Sequence, residues 1–156
     1  MKYLVILLSF TAFSFVSNNK DCRNSSFGDS PEAVRANETA SFVKEEMLLH
    51  NLKGLSFTET KGDAIYLYTY TFHLGKLNGL KIKKMSRSGD NTYLYAYGNY
   101  VEALSKYSSN CDIKIKERHQ NEGLRSFHTI SSRSKIYVMM QKELQDIYLV
   151  ENIFKK

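Results

Sequence analysis

Apolar and polar positions alternate with a period of two along much of this chain, most regularly in residues 64–85. Tyr66, Tyr68, Tyr70, Phe72 and Leu74 alternate with Ile65, Leu67, Thr69, Thr71 and His73. Successive strand side chains point to opposite faces, so this pattern predicts a strand with an aromatic row on one side. Gly75, Asn78 and Gly79 punctuate the pattern before Leu80, Ile82 and Met85 resume it, and a β-hairpin at the centre of a sheet is expected. Leu55 and Phe57 give a short strand ahead of it, closed by a turn at Lys61, Gly62 and Asp63. The alternation returns in the last third of the chain. Ile113 and Ile115 predict one strand, Phe127 and Ile130 a weaker one. Ile136, Val138 and Met140 alternate with Tyr137, Met139 and Gln141, and Ile147, Leu149 and Ile153 with Tyr148, Val150 and Phe154, which closes the sheet.

Two stretches carry helical signals instead. Ser30 can cap a helix whose first residue is Pro31, where the missing N–H costs nothing, and Glu32 sits at the positive end of its dipole. This predicts a short helix over residues 31–38, with Phe27 packing back onto Val34. Leu94, Tyr97, Val101 and Leu104 fall at i, i+3, i+7 and i+10, one stripe of a second helix that Asn91 or Thr92 caps and that stops near residues 108–110. Gly98 weakens that helix by about 1 kcal/mol relative to alanine. Its stripe is expected to cover the aromatic row. Residues 41–52 are ambiguous: Phe42, Val43, Met47, Leu48 and Leu49, with Lys44, Glu45 and Glu46 among them, fit a helical turn or a strand from Met47. No internal repeat is visible. The expected fold class is α+β, an antiparallel sheet of about five or six strands with two helices packed on one face.

The first residues carry an expectation about the compartment. Met1-Lys2 and the apolar run over residues 3–16 have the form of a secretory signal, too short for a comfortable membrane span. The organisation is therefore read as a signal peptide over residues 1–17, a flexible tether over 18–26 and a single α+β domain over 27–156. No later apolar run is long enough to be a transmembrane segment, and an exported, periplasmic, envelope or secreted protein is expected. Cys22 is preceded by Asn18, Asn19, Lys20 and Asp21, the wrong residues for a lipid-acceptor site. Cys22 and Cys111 are the two cysteines, an even count that suits one disulfide in an oxidising compartment; the other reading leaves Cys22 in a mobile tail.

Charge and chemistry change the picture little. The formal net charge of +6 is spread among acids, with no nucleic-acid-binding module beside it. His50, His73, His119 and His128 lack metal-ligand spacing, so no metal is expected and no cofactor. No phosphate loop or nucleophile elbow occurs, and helix capping explains Ser30 without catalysis; no catalytic residue is assigned.

The twelve residues 27–38, Phe-Gly-Asp-Ser-Pro-Glu-Ala-Val-Arg-Ala-Asn-Glu, resemble the opening motif of a group of small bacterial exported or lipid-anchored proteins with a β-lactamase-inhibitor-protein-like domain, also seen in the small lipoprotein of the outer-membrane assembly machinery. The resemblance implies the order helix, hairpin or three-stranded meander, helix, closing strands, and a sheet face that docks another protein. The leading expectation is thus a non-catalytic binder of another cell-envelope protein, of inhibitor, immunity or assembly-accessory type. Its contact face would be Ile65, Leu67, Thr69, Thr71 and His73. The alternative is a small-ligand or glycan binder that uses the row Tyr66, Tyr68, Tyr70 and Phe72 as a stacking platform.

Overall fold

The computed structural model describes residues 22–108, 115–119, 123–131 and 133–156. Its elements in chain order are α1 (Pro31–Asn37), β1 (Ser41–Leu49), β2 (Leu52–Lys61), β3 (Ala64–His73), β4 (Lys76–Ser86), α2 (Tyr93–Ser108), β5 (Lys116–His119), β6 (Arg125–Ile130), β7 (Ser134–Glu143) and β8 (Asp146–Lys155). All the strands join one antiparallel sheet in the order β1-β2-β3-β4-β8-β7-β6-β5. This corrects the expected five or six strands to eight among the described residues. The ambiguous residues 41–52 account for part of the difference. They form β1 and the start of β2, and β1 is an edge strand whose mostly exposed residues have no apolar face to alternate.

The chain also folds as two equivalent halves, each a helix followed by a four-stranded meander. Ala64 and Ser134, the first residues of β3 and β7, are 70 positions apart, as are Leu74 and Leu144 at the hairpin tips. An extra residue in β4, Asn78, shifts the correspondence by one, because Thr71 pairs with Gly79 but Phe72 with Leu77. Beyond that bulge Leu80 corresponds to Leu149 and Ile82 to Glu151. Ile82 and Glu151 also pair directly where β4 meets β8, so the local two-fold axis relating the halves passes through this pair. The repeat escapes sequence comparison because burial pattern is kept while residue type is not: Tyr68 and Tyr70 stand where Val138 and Met140 stand in the second half.

Both helices lie on the same side of the sheet. Val34 of α1 packs with Leu55, Phe57, Tyr68, Tyr70, Phe72 and Leu80. Ala96, Tyr100, Ala103 and Tyr107 of α2 pack with Phe127, Ile136, Val138, Met140 and Leu149, and Ile153 touches both clusters. The aromatic row is therefore covered by α1 and not, as expected, by α2. The buried stripe of α2 also differs from the one predicted: Leu94 is 78% exposed and Val101 46%, while Ala96 and Ala103 are buried. Alanines at positions 96 and 103 bring the helix close to the sheet, and Tyr100 and Tyr107 reach edge-on to Phe127 from one turn further along each time. Thr92 caps this helix by accepting from the Tyr95 N–H at 3.4 Å, whereas Asn91 accepts from the Ser86 N–H at 2.8 Å.

Ser30 caps α1 as expected, accepting from the Ala33 N–H at 3.2 Å. From Cys22 onward the stretch expected as a tether is part of the fold. Cys22 is fully buried in the first core cluster; its expected partner, Cys111, lies outside the described residues. Arg23 donates to Glu38 at 3.1 Å and to Glu59 at 2.8 Å, and its guanidinium lies 4.0 Å above the Tyr68 ring. The Glu38 side chain is fully buried; it also accepts from the Tyr70 hydroxyl and from the Ala40 N–H at 2.9 Å.

The observed face of α2 reverses the mutational pattern that its periodicity suggests. Leu94→Ala should change unfolding free energy by less than about 0.5 kcal/mol. Ala103→Leu, which overfills the contact with the sheet, should cost about 1–3 kcal/mol. Urea denaturation of the two variants checks this; a costly Leu94→Ala beside a neutral Ala103→Leu would contradict the packing.

Candidate binding face

Paired residues in an antiparallel sheet share a face, so the strand register maps the side opposite the helices. One rung runs across all eight strands: Lys44, Ser56, Thr69, Lys81, Asn152, Tyr137, His128 and Lys116. The rung on one side of it contains Thr71, Gly79, Phe154 and Lys135, and the rung on the other contains Leu67, Lys83, Val150, Met139 and Arg118. Thus Ile65, Leu67, Thr69, Thr71 and His73 stand together on this face, half-buried except for exposed His73. The helices and the core-bound N-terminal stretch pack on the other side.

Sequence reasoning missed the aromatic part of the face. His128 stacks on Tyr137 with ring centres 5.9 Å apart, and Tyr137 meets Phe154 edge-on at 6.1 Å. With Lys135, Met139, Asn152 and Lys155 the last two line a shallow depression of about 580 Å³. Tyr137 is 39% and Phe154 41% exposed, and Ile130 lies beside them at 47%. Gly79 makes the seat: a Cβ there would stand 3.0 Å from the Phe154 ring and 3.1 Å from the Ile153 carbonyl oxygen, so the ring lies flat across β4. The alternation of Tyr137 and Phe154 with core residues was visible in the sequence. The signal lacking was the β7–β8 register, which sets Phe154 opposite Lys135 and next to Tyr137. Charge on this face is mainly basic, with Lys44, Lys76, Lys81, Lys83, Lys116, Arg118 and Lys135 against Glu46, Glu143 and Asp146, and Lys83 lies 3.7 Å above the Tyr148 ring while paired with Glu143.

The aromatic row expected as an alternative ligand platform is closed. Tyr70 and Phe72 are fully buried and Tyr68 nearly so. Arg23 occupies the face of Tyr68, and Lys84 stands 5.6 Å from the centre of the Tyr66 ring. What remains is a groove on the helix side, in two cavities of about 290 and 310 Å³ that share Tyr66, Lys106 and Glu151. Paired side chains line it: Lys84 pairs with Glu102 at 3.0 Å, and the Tyr107 hydroxyl donates to Glu151 at 2.9 Å. Asn99 borders the first cavity. Its buried side-chain nitrogen makes no hydrogen bond of ordinary geometry among the described residues. Among the described residues no group of three or more His, Cys, Asp or Glu is placed to hold a metal ion, and no helix is long and apolar enough to cross a membrane.

No protein-family model, curated protein or solved structure matches the chain.

Burial governs the tyrosines of the helix side. It raises the phenols of Tyr68, Tyr70 and Tyr107 far above the ordinary value of 10.0, aided at Tyr70 and Tyr107 by hydrogen bonds to Glu38 and Glu151. Tyr100 is pushed up to about 12 by burial and the nearby Glu117 carboxylate. A group whose folded pKa is raised binds its proton more tightly in the folded state. The stability this gives is fully present below pH 10 and is lost as pH rises above it. Absorbance at 295 nm should therefore show Tyr68, Tyr70, Tyr100 and Tyr107 ionising only above pH 10, as the protein unfolds. One transition of all the tyrosines near pH 10, with the circular dichroism unchanged, would contradict the burial described.

Proposed function

We propose that this protein is a non-catalytic binding domain of the cell envelope that docks another protein on the helix-free face of its sheet. The supporting observation is the two-sidedness of the sheet. Glu38, Arg23 and both helices are committed to one face, while the other presents half-exposed aromatic, threonine and lysine side chains across all the strands. Seven strand spacings of about 4.8 Å make this face roughly 34 Å wide. With some 20 Å of shared strand length it offers on the order of 700 Å², close to the roughly 800 Å² that one partner contributes to a standard interface. Tyr137 and Phe154 are anchors of the kind that concentrate binding energy, and the surrounding lysines favour an acidic partner surface. The resemblance of residues 27–38 to exported proteins that dock through a sheet points the same way, and the leader-like first 17 residues agree with an exported site of action.

Capture from a cell-envelope extract tests this reading. A partner held by the immobilised wild-type protein should be lost with Thr69→Glu/Thr71→Glu, and weakened roughly thirtyfold with Tyr137→Ala/Phe154→Ala. Tyr66→Ala, in the groove on the helix side, should leave capture intact. Folding of each variant is verified by circular dichroism. Capture that survives both open-face double variants, or is lost with Tyr66→Ala alone, would overturn the assignment.

A further inference from the structure

Strand β1 is an edge of the sheet, hydrogen-bonded to β2 on one side only. Along it Phe42, Val43, Met47, Leu48 and Leu49 are all exposed, Met47 to 67% and Leu49 to 70%. A long edge with this much exposed apolar surface is a template for another strand, and natural edges are commonly blunted against it. Here register irregularities at Val43 and Leu48 bracket a straight run, residues 44–47, and leave that run available.

The run is complementary to itself. Laid antiparallel against a second copy and centred on Glu45, it sets Lys44 opposite Glu46 of the second copy and Glu46 opposite its Lys44, with Met47 meeting the irregular position of Val43 at each end. Lys44 and Glu46 project from the same face, as their partners Ser56 and Gly54 show, so the cross-strand ion pairs have the right side as well as the right sign. The one like-charged contact is Glu45 with Glu45. Each of these carboxylates is already paired with Arg35 and Lys53 of its own chain, which hold it below the usual carboxylate range together with its hydrogen bonds, so cations flank the centre.

We propose that the protein pairs with a second copy of itself through β1, joining two sheets into one continuous sheet with the helices of both copies on the same side. The contact is isologous and uses β1 of each copy, so it closes at a dimer. Among the described residues the opposite edge, β5, is the short charged sequence Lys116-Glu-Arg-His119, with no apolar run to match β1. The proposal is independent of the docking function. If both hold, two open faces stand side by side and a multivalent partner gains avidity.

Sedimentation velocity over a concentration series tests it. The wild-type protein should sediment as a dimer of twice the chain mass of 18.0 kDa, less any residues removed on maturation. Lys44→Glu sets like charges opposite each other at both symmetric positions and should weaken the dimer about tenfold or more, as should Glu46→Lys. The double variant Lys44→Glu/Glu46→Lys restores both pairs and should restore the dimer. Lys44 is exposed and Glu46 half-buried, the two pair with each other within the chain at 2.7 Å, and circular dichroism confirms that each variant is folded. A wild-type monomer, a dimer indifferent to either single change, or a double variant that stays monomeric would overturn the proposal. So would a dimer broken by Thr69→Glu/Thr71→Glu but not by Lys44→Glu, which would place the contact on the open face.

Discussion

The buried carboxylate of Glu38 is the constraint on which the first half of this structure depends. A fully buried anion is tolerable only when its oxygens are satisfied, and three parts of the chain supply the donors: Arg23 from the N-terminal stretch, Tyr70 from β3 and the Ala40 N–H just ahead of β1. None of these can leave without exposing or orphaning the charge. Glu38 follows the last residue of α1, so the same group fixes where the helix stops and how the chain enters the sheet. Arg23 extends the clamp to Glu59 and the face of Tyr68, which draws residues 22–26 onto the aromatic row.

This clamp and α2 act on one side only, and that gives the sheet two different faces. On the helix side polar side chains are tied to one another. Glu151, which stands at the axis opposite Ile82, is accepted there because Tyr107 donates to it and Lys106 lies 4.0 Å away. On the other side the register places rings and lysines in rows without a covering layer of helices. The doubling of the fold widens that face: pairing of β4 with β8 turns two meanders of ordinary size into a sheet broad enough for a macromolecular contact.

Much of this was legible in the residues, and what was not has physical reasons. The Ser30–Pro31 start of α1 and the period-two rows of β3, β7 and β8 are local signals, and the structure bears each of them out. Which row is covered, and by which helix, is a tertiary matter. The α2 stripe was misjudged because Leu94 and Val101 outrank alanine in hydrophobicity, whereas close approach to a sheet rewards the smaller residue. The edge strand β1 was ambiguous because its residues alternate against no covered face. The aromatic patch lay hidden for a further reason: Tyr137 and Phe154 become neighbours only when β7 and β8 pair in register, and Phe154 lies down only over Gly79.

The open face, and not the helix side, is the surface proposed to meet the partner. Hydroxyl-radical footprinting of the free and partner-bound protein tests it residue by residue. On binding, oxidation of Tyr137, Met139 and Phe154 should fall several-fold while that of Tyr66, Tyr93 and Leu94 stays unchanged. Protection of Tyr66, Tyr93 and Leu94, with Tyr137 and Phe154 oxidised as before, would contradict the claim and place the partner on the side of the helices.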